Sequence, residues 1–189
     1  MTRGRLEAFS DGVMAVLITI MVLELKPPHG EDLHTLLALG PALSTYLLSF
    51  VFIGIYWNNH HHMFHTVDRV DGRILWANLH LLFWLSLVPV TTAWMGDTQL
   101  APVPTAAYGA VLLASGVAYL ILQSTIVAAQ GPKSRLAALI GSDLKGKASA
   151  VLYACGIAAS FVRPSVSAAL YAAVALMWLV PDRRIEKHL

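Results

Sequence analysis

Apolar residues along this chain fall in blocks of about 15 to 25, and short segments between the blocks hold nearly all the Lys, Arg, Asp and Glu. Blocks of that length match the hydrocarbon thickness of a bilayer crossed by a helix. None alternates apolar and polar positions as a barrel strand does. A backbone exposed to lipid must satisfy its own hydrogen bonds, so every block is expected to be helical. Six spans follow. The first runs from about Phe9 to Leu25 and stops at Lys26-Pro27-Pro28; the second covers about Leu36 to Trp57, with Pro41 near its start. The third runs from Ile74 to about Trp94 and is interrupted by Pro89, and the fourth runs from about Thr105 to Ala129. The fifth covers about Ala148 to Val162, and Arg163-Pro164 separates it from a sixth that ends at Pro181. The last two are short and Ala-rich, which leaves five spans as the alternative count.

Composition points the same way. The chain has 189 residues, is 57% hydrophobic and only 13% charged, and has a mean hydropathy of +0.63. A soluble domain carries about a quarter charged residues. A soluble core reading would need almost every helix to be apolar all round, which does not suit a protein of this size. The fold class expected is therefore all-α, a polytopic membrane protein with six transmembrane helices, forming one unit over residues 1–189. Cys155 is the single cysteine, so an intrachain disulfide framework is excluded.

The basic residues set the orientation. With a cytoplasmic N-terminus, six spans place Arg3, Arg5, Arg69, Arg73, Lys133, Arg135, Lys145, Lys147, Arg183, Arg184 and Lys187 inside, and only Lys26 and Arg163 outside. Both termini are then expected in the cytoplasm, with the protein in the cell (inner) membrane. The net charge of +2 reads as topology and contact with membrane lipids, with no nucleic-acid partner. Arg3 and Arg5 would suit a signal peptide, but Asp11 and Thr19 interrupt the apolar stretch and no convincing cleavage site follows, so the first span is retained.

Polar side chains inside apolar spans need an account, because a charge within the bilayer costs at least about 2.5 kcal/mol. Asp11 sits about one turn into the first span, with Glu7 one turn earlier on the same face. Arg5 lies six residues before Asp11, about 240° around a helix, so the two cannot pair on one straight helix. Asp11 is either an interfacial helix-start residue favoured by the macrodipole or a member of a buried network reaching other helices. The second span ends in Trp57-Asn58-Asn59-His60-His61-His62, followed by Met63-Phe64-His65. His61 and His65 have metal-ligand spacing, although no Cys or carboxylate nearby completes a set and an aromatic, imidazole-rich border is an ordinary way to end a span. Asn78 and His80 stand on the third span at a similar depth, and Asn78 in hydrocarbon should be hydrogen-bonded across helices. Further along the first span Val16, Ile20 and Leu23 form an apolar stripe at i, i+4, i+7, with Thr19 beside it.

The segment from Arg5 through Phe9-Ser10-Asp11 to Ala15 and Thr19 resembles the opening of the transmembrane protein 175 family of potassium channels. Trp57 followed by His60 and His61 is similar to the ending of that family's second helix, and Asn78 with Pro89 fits its third. The resemblance implies a six-helix subunit of a homotetramer whose first helices line a central pore. It implies that Arg5, Phe9, Ser10 and Asp11 form a structural network with Trp57, His60, His61 and Asn78. It further implies that Val16, Ile20 and Leu23 face the axis as hydrophobic constrictions, with Thr19 as the neighbouring polar contact. Val16 departs from the family's usual, larger Ile or Leu at the innermost ring. No Thr-Val-Gly-Tyr-Gly filter occurs, so only a modest preference for potassium ions over sodium is expected. The implied protein is a channel, not an enzyme, and needs no cofactor. Three other readings remain open at this point: a proton or cation transporter using Asp11, a membrane metal or haem protein using the His60–His65 cluster, and a scaffold with no transport activity.

Overall fold

The computed structural model describes residues 2–28, 30–131, 134–140 and 143–179, and among these the regular structure is all helix. The helices are α1 (Arg3–Leu23), α2 (Leu33–Ala38), α3 (Gly40–His65), α4 (Gly72–Ser86), α5 (Val88–Asp97), α6 (Pro102–Gln130), α7 (Arg135–Ile140), α8 (Leu144–Ser160) and α9 (Pro164–Leu179). The expected end of the last span at Pro181, and the basic residues Lys133, Arg183, Arg184 and Lys187, lie outside the described residues.

Among the described residues four stretches are long and apolar enough to cross a membrane: Arg3–Leu23, Gly40–His65, Gly72–Asp97 and Pro102–Gln130. They coincide with the first four expected spans, extended at their ends by polar turns. The expected fifth and sixth spans fall on α8 and α9, both helical. At 1.5 Å per residue the 17-residue α8 is about 25 Å long, a few ångströms short of a bilayer core of about 30 Å; α9 is described as far as Leu179. The third stretch is two helices in line. Pro89 has no N–H to offer the Leu85 carbonyl one turn back, so α4 stops at Ser86 and α5 restarts at Val88, with Pro89 in its first turn.

Local chemistry sets the other ends. Pro41 and Pro102 occupy the first turns of α3 and α6, where a missing N–H is harmless. Asp71 caps α4 by accepting from the Ile74 amide at 2.9 Å. Gly131 closes α6 with a φ of 92°, a backbone conformation open to glycine.

The long helix α6 is the hub, packing on α4, α5, α8 and α9, whereas α1 packs on α3, α4 and α5. Lipid tails are as apolar as side chains, so close packing and interhelical hydrogen bonds hold such helices together. Tyr171 of α9 shows both. Its ring lies where a Cβ on Gly109 of α6 or Gly156 of α8 would stand, and its hydroxyl donates to the Thr105 carbonyl at 3.2 Å. A second polar node joins α3, α5 and α6. There Ser49 Oγ lies 2.6 Å from Thr92 Oγ1 and 2.9 Å from the Tyr108 hydroxyl, all three side chains being buried.

Candidate functional site

The two faces of α1 carry different chemistry. Leu6, Ser10, Met14, Leu17 and Met21 recur at three- and four-residue intervals and are all buried. The opposite face, through Phe9, Gly12, Ala15, Val16, Thr19, Ile20 and Leu23, is exposed in the single chain. Val16 is 53% exposed, Ile20 40% and Leu23 80%. The Thr19 hydroxyl donates back to the Val16 carbonyl at 2.8 Å, which leaves its oxygen lone pairs turned along the exposed stripe.

Ser10 anchors the buried face. A one-way hydrogen-bond chain begins at His60 Nε2 on α3, 2.8 Å from Asn78 Oδ1 on α4. Asn78 Nδ2 in turn donates to Ser10 Oγ at 2.9 Å, and Ser10 Oγ donates to the Leu6 carbonyl at 2.9 Å. All three side chains are fully buried. Because Asn78 Oδ1 can only accept, His60 Nε2 carries the proton in this arrangement. His60 Nδ1 is buried without a hydrogen-bond partner among the described residues, and the ring stacks on Phe64 with centroids 4.4 Å apart. Each link polarises the next, so helices α1, α3 and α4 are tied at one depth.

A second, more exposed tie runs beside it. Trp57 Nε1 donates to Asp11 Oδ1 at 3.1 Å, and the Trp57 ring stacks on His61 at 6.1 Å. His61 and His65 meet through their Nε2 atoms at 3.0 Å. Of the residues singled out from the sequence, the structure thus brings together Ser10, Asp11, Trp57, His60, His61 and Asn78. It leaves Arg5 and Phe9 exposed and outside these contacts. Arg3, not Arg5, has the acidic partner, meeting Glu7 at 3.4 Å. The Leu6 carbonyl that terminates the buried chain was not foreseeable, since every helix offers such carbonyls and only packing selects one. His80 stays local, accepting from Trp84 Nε1 at 3.0 Å. Among the described residues no group of three or more His, Cys, Asp or Glu is arranged to hold a metal ion.

Known proteins share the sequence and the fold of this chain. The family model described as "Endosomal/lysosomal potassium channel TMEM175" matches residues 5–89, the stretch holding α1, α3, α4 and every member of the two ties. A potassium channel of Chryseobacterium sp. (strain P1-3) is 53% identical over 189 residues, covering 100% of this chain and 98% of that one. A potassium channel of Streptomyces collinus is 38% identical over 124 residues, 61% of this chain and 60% of that one. The crystal structure of a lysosomal potassium-selective channel TMEM175 homologue from Chamaesiphon minutus superposes with a TM-score of 0.82 at 29% identity, covering 94% of this chain and 96% of that one. These relatives are channels rather than enzymes. With a near-full-length relative at this identity, a matching fold and the two ties inside the matched segment, the chain is a membrane protein that belongs to the TMEM175 family.

Proposed function

We propose that this chain is one subunit of a cation channel in which four copies place α1 around a central pore, and that potassium ions pass with a modest preference over sodium. The observation that carries the reading is the division of α1 into a packed face and an exposed one. The exposed face interleaves Val16, Ile20 and Leu23 with Gly12, Ala15 and Thr19. A lipid-facing stripe has no need of small and polar residues, whereas small residues let helices approach closely. The relatives named as potassium channels and the potassium-selective homologue of the same shape support it.

In this reading Val16, Ile20 and Leu23 form stacked apolar rings. Such a constriction blocks ions by dewetting and conducts when it widens. A narrow ring that solvates poorly favours the cation that gives up water more readily, and the Thr19 oxygen offers the nearest polar contact. The Ser10–Asn78–His60 and Asp11–Trp57 ties hold the pore helix to α3 and α4, with His61 stacked on Trp57 at their border and Arg5 and Phe9 exposed outside them. The whole chain acts as one six-helix unit, α8 and α9 being the fifth and sixth spans, set in the cell (inner) membrane with both termini cytoplasmic and its rim against lipid. Asp11 is engaged with Trp57, which favours anchoring over a carrier role.

Reconstitution tests the reading. Bi-ionic potassium/sodium flux should show cation conduction with potassium preferred, and mass measurement in detergent should return a tetramer. A monomer, or liposomes passing no cation current before or after Ile20→Asn, would overturn the pore assignment.

A further inference from the structure

A cleft of about 70 Å³ lies inside the subunit between α3, α6, α8 and α9, on the side away from α1. Five aromatic rings stand in its walls among aliphatic and small side chains. Tyr56 and Tyr119 meet edge to face with centroids 6.1 Å apart, and Phe52, Tyr153 and Trp178 are the other three. Several polar groups in these walls are unengaged. Tyr56 and Tyr153 are only 9% and 4% exposed, yet their hydroxyls make no hydrogen bond among the described residues, and neither does the Gln123 amide. Asp143 caps α8 through Oδ1, which accepts from the Gly146 amide at 3.2 Å, and forms no ion pair among the described residues. Gly116 leaves the space open: a Cβ there would stand 3.8 Å from the Tyr56 hydroxyl and 4.0 Å from the Tyr153 ring.

We propose that this cleft binds a small ammonium ion carrying an apolar body, with the charged head against Asp143 and the aromatic rings. Two observations favour a cation over other occupants. A carboxylate without a positive partner among the described residues, together with the aromatic rings beside it, attracts positive charge and repels anions. An ammonium head also brings N–H donors to the unengaged phenol oxygens, whereas a lipid acyl chain brings none and would carry its phosphate towards Asp143. At about 70 Å³ the cleft has room for the ammonium head and the first methylenes, and the rest of a short hydrocarbon body extends from its mouth.

Hexylammonium is the probe, titrated by calorimetry into the purified full-length protein in detergent, with hexanol and hexanoate as neutral and anionic matches. Asp143→Asn removes the charge but keeps a residue suited to the N-cap and to a left-handed backbone. Gly116→Leu fills the space. Saturable binding of hexylammonium is expected, weakened about tenfold or more by D143N, in line with loss of a charge-assisted contact, and abolished by G116L. Hexanol and hexanoate should bind the native protein at least about tenfold more weakly, a comparison that needs no variant to fold. Absence of saturable binding, equal binding of hexanol or hexanoate, or unchanged affinity in D143N would each overturn the proposal. The readout is binding, so it stands or falls separately from the pore.

Discussion

Asn78 on α4 donates to Ser10 on α1 across 2.9 Å, with both side chains fully buried, while its carbonyl oxygen meets His60 of α3 at 2.8 Å. One amide therefore joins three helices. Replacing it with Leu strands His60 and Ser10 together. Hydrogen bonds between membrane helices average about 0.6 kcal/mol and reach about 1.7, and two are lost here, so Asn78→Leu should destabilise the protein by roughly 1–3 kcal/mol. Unfolding in mixed detergent measures this. Ser10→Ala spares the His60 link but loses the bond from Asn78 and the local bond to the Leu6 carbonyl, and should cost about 1–2 kcal/mol.

The Asp11–Trp57 tie is tested through its charge. Asp11→Asn retains an amide oxygen able to accept from the indole, so conduction should persist with little dependence on the pH gradient. If that variant instead abolishes a saturable, gradient-coupled flux measured in liposomes, Asp11 is a carrier. Trp57→Phe, which removes the donor at an exposed site, should cost about 1 kcal/mol or less in the same detergent unfolding assay.

Ile20→Asn places a polar amide in the exposed stripe of α1. A wetted ring should conduct more and discriminate less. Single-channel current should rise, and the reversal potential under bi-ionic conditions should move towards zero.

At the α6–α8–α9 junction, Gly109→Ala puts a methyl group where the Tyr171 ring end lies. Overpacking of this kind costs about 1–3 kcal/mol. Adding Tyr171→Leu should recover part of that loss, read as a rise in melting temperature of the double variant over the single one.

The first four spans were legible because block length and polarity report directly on a bilayer. Their ends were less so. The second span continues past Trp57 to His65 because His60, Met63 and Phe64 are buried, and a run of polar letters does not reveal that its inward positions are packed. Pro89 announced the break between α4 and α5, since a missing N–H acts locally. The node of Ser49, Thr92 and Tyr108 escaped notice for the opposite reason: a single hydroxyl in an apolar block looks ordinary until three helices bring such hydroxyls within 3 Å. Asp11 and Asn78 stood out as polar letters in hydrocarbon, but spacing alone could not choose Trp57 and Ser10 as their partners.

The clamp on α1 lies near one end only. Beyond Asp11, α1 rests on the rest of the subunit through Met14, Leu17 and Met21, and the two methionines are flexible side chains that refill gaps with little penalty. A tilt of α1 would pivot at Ser10. From there to Leu23 the arm is about 20 Å, so a tilt of about 5° would carry the Leu23 end sideways by roughly 1.7 Å while Ser10 barely moved. Leu23 would therefore have the longest travel and Val16 the shortest.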